Sequence, residues 1–393
     1  MLSTLRFIVL VLALAPLAYY VLSFYCALDY FRRLRKFPPA DVPFTPAVSI
    51  VKPVRGVDRE AYENFSSFCR LDYPEYEMIF AVTDPEDPVV PVVRKLQRDF
   101  PQRSIRLVTG VANLGANNKV NNLCRLVREA KYDFVVMSDS DVRVDGDYLH
   151  HAAAPFADPN VGVVTAFYRG ISGRSLASDL DGLGMYADSA PAALVARKLE
   201  GRMRFAFGWT MATTKGILSR IGGFESMVNH HSDDFELGNR ISRLGYRVEL
   251  MRKPVWMVFP KETVGEFVDH ELRWSIGLRN VRPAGYLGMI FTHGLPWALL
   301  AAAVAGAAGW AGIAVAYLAA YVVLRLGVVW TTGVWGLGDT RIARKLVLVP
   351  VRDAFSFFTW IAGLFSDKIV WRGFRYRVRK GLLVPAESGK GAG

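Results

Sequence analysis

The chain has 393 residues, a formal net charge of +12 and a hydrophobic share of 52%, so it can hold one large domain or two smaller ones. The hydrophobic excess sits at the two ends, which argues against a freely soluble protein. Three cysteines, Cys26, Cys69 and Cys124, are too few and too scattered for a disulfide framework or a zinc site, and they fit a reducing compartment.

From the N-terminus, residues 5–28 (LRFIVLVLALAPLAYYVLSFYCAL) form an apolar stretch long enough to span a bilayer. A signal peptide is the competing reading. The stretch is long for that role, however, and no small-x-small cleavage site precedes the basic cluster. That cluster, Arg32, Arg33, Arg35 and Lys36, places the adjoining middle of the chain on the cytoplasmic side. A second basic cluster, Arg372, Arg375, Arg377, Arg379 and Lys380, comes after the apolar C-terminal region. Basic groups beside apolar spans suit anionic lipid better than nucleic acid, so no nucleic-acid partner is expected.

The chain reads as three zones: an anchor with its basic flank (1–45), a soluble α/β domain (46–285), and C-terminal membrane or interfacial helices with a basic tail (286–393). In the middle zone short apolar runs alternate with segments of helical period. The runs are AVSIVKPV (47–54), EMIFAV (77–82), IRLVTG (105–110), FVVMSD (134–139) and VGVVTAF (161–167). The alternation predicts an α/β fold with a mostly parallel sheet covered on both faces, which binds ligands at the carboxyl ends of its strands. In the last zone, 286–309 and 311–337 read as two spans and 345–365 as a third. Three spans would carry the basic tail outside, against the charge rule. Arg352 and Asp353, in the middle of the third segment, favour an interfacial placement for it.

Five stretches carry candidate chemistry. In VVMSDSDVRV (135–144), Asp139 and Asp141 leave an apolar run one residue apart, so both carboxylates can face one side and grip a hard divalent cation. A solvated acidic turn is the alternative, and the pattern recurs at Asp145–Asp147 and Asp179–Asp181 without a preceding apolar strand. In AVTDPEDP, Asp84 ends another strand, where it can accept from a base N–H or simply form a turn before Pro85. In NHHSDDFELG, Asp233 and Asp234 open a helix with Ser232 as N-cap; they complement the helix dipole, or one serves as a general base. His230 and His231 read as polar loop residues. In HELRW, Arg273 and Trp274 offer a guanidinium for a departing diphosphate and a flat indole, or else form part of an interfacial belt with Arg279 and Arg282. In GANNKVNNL, Gly115, Lys119 and several amides precede a helix and can hold phosphate or sugar hydroxyls. The stretch is not a P-loop, so ATP-driven chemistry loses ground.

Taken in order, SIVKPVRGVD, LDYPEYE, DPEDP, NNKVNNL, KYDFVVMSDSDVRV, IGGFE, SDDFELG and HELRW resemble the ceramide glucosyltransferase family over about Val48 to Tyr286. The resemblance implies a membrane-anchored, inverting enzyme with the A-type glycosyltransferase fold. It implies Asp84 at uracil and Asp139 and Asp141 at the metal, Mg²⁺ or Mn²⁺, and the diphosphate. Lys119 is placed with the nucleotide sugar, and Asp234 as the base beside Asp233. Arg273 and Trp274 fall near the diphosphate and the acceptor entrance, and His270 on the acceptor side. His270 stands where the family usually has Gln or Arg, and Asp139-Ser-Asp141 stands where animal members read Asp-Ser-Gly.

YENFSSFCRLDYP, ALVARKLEG and the Arg-Trp region are closer still to a bacterial branch linked to hopanoid glycosylation. The implied partners are a UDP-sugar, most simply UDP-glucose, a membrane lipid such as ceramide, and the bilayer of a bacterial inner membrane. A hopanoid acceptor with UDP-N-acetylglucosamine, a processive polysaccharide synthase, and a non-catalytic nucleotide-sugar binder are the alternatives.

Overall fold

The computed structural model describes residues 2–36 and 44–386; the end of the basic tail, 387–393, lies outside the described residues. The chain divides into two compact units that interleave along the sequence. One gathers the N-terminal helices with Arg174–Leu199 and Lys261–Gly373; the other gathers the rest.

The second unit is built on a sheet. Its strands are β1 (Val48–Pro53), β2 (Tyr76–Val82), β3 (Ser104–Thr109), β4 (Phe134–Ser138), β5 (Val142–Arg143), β6 (Val161–Thr165), β7 (Tyr168–Ile171), β8 (Thr210–Thr214), β9 (Arg247–Leu250) and β10 (Val255–Val258). Seven of them form one sheet in the order β3-β2-β1-β4-β8-β6-β9. The pairs β2–β3, β1–β2, β1–β4 and β6–β9 are parallel, and β8 runs antiparallel to both neighbours. Every residue of β1 and β4 is buried, as expected of strands covered on both faces. The covering helices are amphipathic: Val89–Asp99 turns Val89, Val90, Val93 and Leu96 inward and its charges outward. The helix Asn118–Glu129 is capped by the Asn117 side chain, which accepts from the Val120 N–H at 3.2 Å.

Register is what positions a site here. Val48 pairs with Tyr76 and with Phe134, so β1, β2 and β4 end side by side. Asp84 comes after β2 and Asp139 after β4 on that edge. The five apolar runs read from the sequence are β1, β2, β3, β4 and β6 of this mixed, mostly parallel sheet. Among the strands not read was β8, whose TMATT has no apolar run and draws its strand character from β-branched threonine.

A hairpin of Phe374–Arg379 and Leu382–Pro385 returns to this second unit. The Leu383 N–H donates to Asn229 O at 2.8 Å and the His231 N–H to Gly381 O at 2.9 Å.

The other unit is helical. Four stretches are long and apolar enough to cross a membrane: Ser3–Lys36, Pro283–Ala307, Ala311–Gly336 and Thr340–Phe365. Phe7, Val315, Val323, Phe358 and Phe365 point outward from them, an apolar surface suited to lipid. Arg352 and Asp353, which the sequence suggests mark an interface, are instead 4% and 5% exposed. Arg352 pairs with Glu271 at 2.6 Å and Asp188 at 3.1 Å. Arg325 pairs with Asp353 at 2.5 Å and Asp188 at 2.8 Å. Charges paired this way sit among apolar helices without needing water, so an interfacial position for the last segment has to rest on other grounds.

Candidate active site

In the sheet unit, Asp139 and Asp141 lie in the turn that leaves β4. The Asp139 N–H donates to Trp209 O at 3.0 Å, and Asp141 O accepts from the Val258 N–H at 2.9 Å. The turn is thereby tied through its backbone to Trp209, just before β8, and to β10, and it leaves both aspartates half-buried, with Asp141 Oδ1 buried. Lys119, in the first turn of its helix, sets its ammonium 2.7 Å from Asp139 Oδ1 and 3.0 Å from Gly208 O. Burial opposes the charge on Lys119, but Asp139, Asp233 and Asp234 outweigh it and hold its pKa above the usual lysine value.

Asp233 and Asp234 open the helix Asp233–Arg243. Asp233 is buried and its Oδ2 meets no hydrogen-bond partner. Burial, and then the neighbouring Asp139 charge against the pull of Lys119, raises its pKa. Asp234 accepts at Oδ1 from the Phe235 N–H at 2.7 Å. Burial first, and the Asp233 charge second, push its pKa up to about 6, the direction a general base needs to work near neutral pH. Gly208 packs directly on Asp234: a Cβ there would lie 2.9 Å from Asp234 Oδ2. Asp139, Lys119, Gly208 and Asp234 therefore form one continuous patch.

The GANNKVNNL loop turns its amides to packing. Ala116 N–H donates to Asn229 Oδ1 at 2.9 Å and Asn117 N–H to Val228 O at 2.8 Å. A Cβ on Gly115 would sit 2.7 Å from Asn229 Oδ1 and from Val228. The loop thus joins the Lys119 helix to the segment that leads into Asp233. His230 and His231 lie in that segment, bonded at 3.4 Å to Arg240 and 3.1 Å to Ser232 respectively. Asp84 is exposed, and its Oδ1 accepts from the Glu86 N–H at 2.9 Å in a turn. Beside it Asp87 is buried and takes N–H groups from Gly56 and Val89, both at 2.9 Å.

Asp139 and Asp141 offer carboxylate oxygens alone, the donor set of a hard cation. Lys119 at 2.7 Å already sets one cation against Asp139, and Asp233 Oδ2 is buried without a hydrogen-bond partner. The residues fit Mg²⁺ or Mn²⁺.

The other predicted residues belong to the helical unit, on the helix Val264–Val281. Arg273 lies over the rings of Trp371, at 5.5 Å, and Trp274, at 6.0 Å. Trp274 is 45% exposed and its Nε1–H donates to His270 Nε2 at 2.8 Å. His270 Nδ1 meets Asp181 Oδ2 at 2.6 Å. Burial lowers the His270 pKa, but the Asp181 charge and hydrogen bond overcome this and raise it. Glu262 lies close by; burial and then Asp181 push its pKa up to about 7. Asp181, Glu262 and His270 bring ligand atoms within 4.8 Å of one another. Both ring nitrogens of His270 are already engaged, so a metal there would have to break a bond to Asp181 or to Trp274.

The sequence profile of glycosyl transferase family 21 matches residues 8–384, nearly the whole chain. The chain belongs to glycosyl transferase family 21. Among curated relatives, it is 27% identical to ceramide glucosyltransferase 3 of Caenorhabditis elegans over 240 residues, 58% of this chain and 50% of that protein. It is 26% identical to ceramide glucosyltransferase 1 of the same organism over 234 residues, 59% of this chain and 50% of that protein. These matches span about half the length of the curated relatives. Among solved structures, the fold is similar to a mannosyltransferase from Pyrobaculum calidifontis solved with GDP-Man and Mn²⁺. That match has a TM-score of 0.51 at 19% identity and covers 90% of this chain and 99% of that one. At that identity the likeness speaks for the fold alone.

In this family 21 chain, three further residues touch these clusters without a clear mark in the sequence pattern. Lys52, near the carboxyl end of β1, is fully buried and donates to Asp139 O at 3.0 Å and Ser138 Oγ at 3.2 Å, with its ammonium 3.7 Å from the centre of the Phe68 ring. Burial lowers its pKa to about 7 against the pull of Asp139 and Asp141. Its signal was a charge inside an otherwise apolar strand. Gly208 and Asp181 were missed as well, and Asp181 sits in one of the Asp-x-Asp pairs that strand context argues against.

Proposed function

We propose that the chain is an inverting glycosyltransferase that moves a hexose, glucose in the first instance, from a UDP-sugar to the hydroxyl of a membrane lipid, ceramide in the first instance. The observation that carries this is the continuous patch of Asp139, Lys119, Gly208 and Asp234, with a base of raised pKa a short distance from a cation-holding carboxylate. Asp139 and Asp141 would hold Mg²⁺ or Mn²⁺, which when bound offsets charge on the departing diphosphate. Asp84 lies at the nucleotide end of the strand edge, and Lys119 adds a fixed positive charge. Asp234 takes the proton of the acceptor hydroxyl as its oxygen bonds to the anomeric carbon. The bond from that carbon to the phosphate oxygen breaks on the opposite side, and UDP leaves with the electron pair. Arg273 supplies a cation for the leaving group, and Asp233, His270 and Trp274 act on the acceptor side.

The test is a transfer assay on the purified full-length protein with Mn²⁺ or Mg²⁺, supplying UDP-glucose or UDP-N-acetylglucosamine with ceramide, a hopanoid or diacylglycerol. The expected product is a β-linked glucosylceramide from UDP-α-glucose, read by mass spectrometry and NMR. A glycosylated hopanoid or a polymer would replace the acceptor assignment, and UDP binding without any transfer would overturn the enzyme reading.

The same reading places the protein in a bacterial inner membrane with the sheet unit in the cytoplasm. Residues on both sides of the last three apolar helices, up to Pro260 and from Phe374, pack in the sheet unit, so the chain between them crosses the bilayer an even number of times. Two of the three helices then span and one does not. Thr340–Phe365 suits the second role, because it is the least apolar of the four. The three native cysteines are buried, so Arg94→Cys and Arg375→Cys report cleanly. Both are expected to react with a membrane-impermeant maleimide in inverted vesicles and not in spheroplasts. Labelling from opposite sides would overturn the even count.

A further inference from the structure

Asp181 lies in the helix Leu176–Gly184 and is 5% exposed. Its Oδ2 is 2.6 Å from His270 Nδ1. His270 and Trp274 are four residues apart and share one face of the helix Val264–Val281, with Trp274 Nε1 2.8 Å from His270 Nε2. An indole N–H only donates, so in the neutral ring Nε2 keeps its lone pair and the imidazole proton sits on Nδ1, donated to Asp181. The carboxylate selects the one tautomer that can accept from the indole. Trp274 is otherwise 45% exposed, and among the described residues His270 is the hydrogen-bond partner of its indole nitrogen. The Asp179–Asp181 pair, which resembles a metal motif, thus holds a buried carboxylate with a different role.

We propose that Asp181 is a positioning residue that fixes, through His270, the orientation of the Trp274 indole toward the acceptor. The proposal rests on the reading of Trp274 as an acceptor-side residue. It demands of position 270 a side chain that donates to Asp181 and accepts from Trp274 at once. A glutamine amide can do both; leucine can do neither, and arginine cannot accept.

The experiment uses full-length protein in nanodiscs with 5-fluorotryptophan incorporated, and the Trp274 ¹⁹F resonance assigned by its loss in Trp274→Phe. The variants are Asp181→Leu, His270→Leu and His270→Gln, assayed with UDP-glucose and a short-chain ceramide. Asp181→Leu and His270→Leu are expected to move the Trp274 resonance and to raise the acceptor KM about tenfold, as loss of one charge-assisted hydrogen bond would. The donor KM should stay unchanged and kcat should change far less. His270→Gln is expected to return the resonance toward its wild-type position and to recover most of the lost affinity. An unmoved Trp274 resonance in both leucine variants overturns the proposal, as does a His270→Gln variant indistinguishable from His270→Leu. If Asp181→Leu does not fold, the contrast at position 270 decides. If the wild-type protein transfers nothing, the functional reading fails while the resonance arm still tests the positioning.

Discussion

Asp234→Asn is expected to lower kcat by roughly 10²–10⁴-fold, the range for loss of a positioned general base, with UDP-sugar binding retained. Amide and carboxylate have nearly the same shape, so the bond from the Phe235 N–H at 2.7 Å and the packing on Gly208 survive, and only proton acceptance is lost. The pH profile carries the same assignment. Asp234 works deprotonated, and its pKa is pushed up to about 6, so wild-type turnover should rise with pH through about 6 and level above it. The residual activity of the Asn variant should lack that limb.

A raised carboxylate pKa also has a sign in stability. The folded state binds the proton more tightly than the unfolded chain, so stability from this group is present at low pH and lost as pH rises through about 6. Above that pH the Asn variant should therefore melt no lower than wild type, which separates lost chemistry from lost fold. Turnover within threefold of wild type would remove Asp234 as the base.

Asp139→Ala and Asp141→Ala are each expected to lower kcat/KM by roughly 10²–10³-fold, comparable to removing one electrostatic partner of a developing anion. Chelation of divalent ions by EDTA should abolish wild-type turnover, with recovery on adding Mn²⁺ or Mg²⁺. The two positions should differ in a second readout. Asp139 also neutralises Lys119 at 2.7 Å, so Asp139→Ala leaves a largely buried ammonium without its nearest counter-charge and should lower Tm. Asp141 has no such duty to Lys119 and should affect Tm less. Full activity after exhaustive chelation would exclude divalent-ion dependence and return the pair to the role of an acidic turn.

Much of this was legible in the sequence because it depends on residues close together in the chain. Short apolar runs of six to eight residues mark strands of a covered sheet, and the five read are in the main sheet at nearly those positions. Apolar stretches at the ends mark the four long helices for the same reason. Aspartates placed directly after those runs fall at the carboxyl edge by geometry alone, since β1, β2 and β4 are parallel and in register. The inserted antiparallel β8 left no such mark, because TMATT takes its place from pairing with β4 and β6 rather than from its own apolarity.

Other features depend on where distant parts of the chain meet. Lys52 under the Asp139 turn spans 87 residues of sequence, and Asp181 against His270 spans 89. Neither distance leaves a periodicity to read. Arg352 and Asp353 were visible as charges in an apolar segment, yet their partners Asp188, Glu271 and Arg325 come from other helices, so composition alone pointed to water where the fold supplies counter-charges. The return of Phe374–Pro385 to the sheet unit is likewise a property of the chain path. Five strands of the main sheet, the apolar helices, the aspartates at the strand ends and the family resemblance were legible in the chain alone. The tertiary structure decided which charges neutralise one another. It also decided that the Asp179–Asp181 pair holds His270, because electrostatic partnership acts through space and is indifferent to order along the chain.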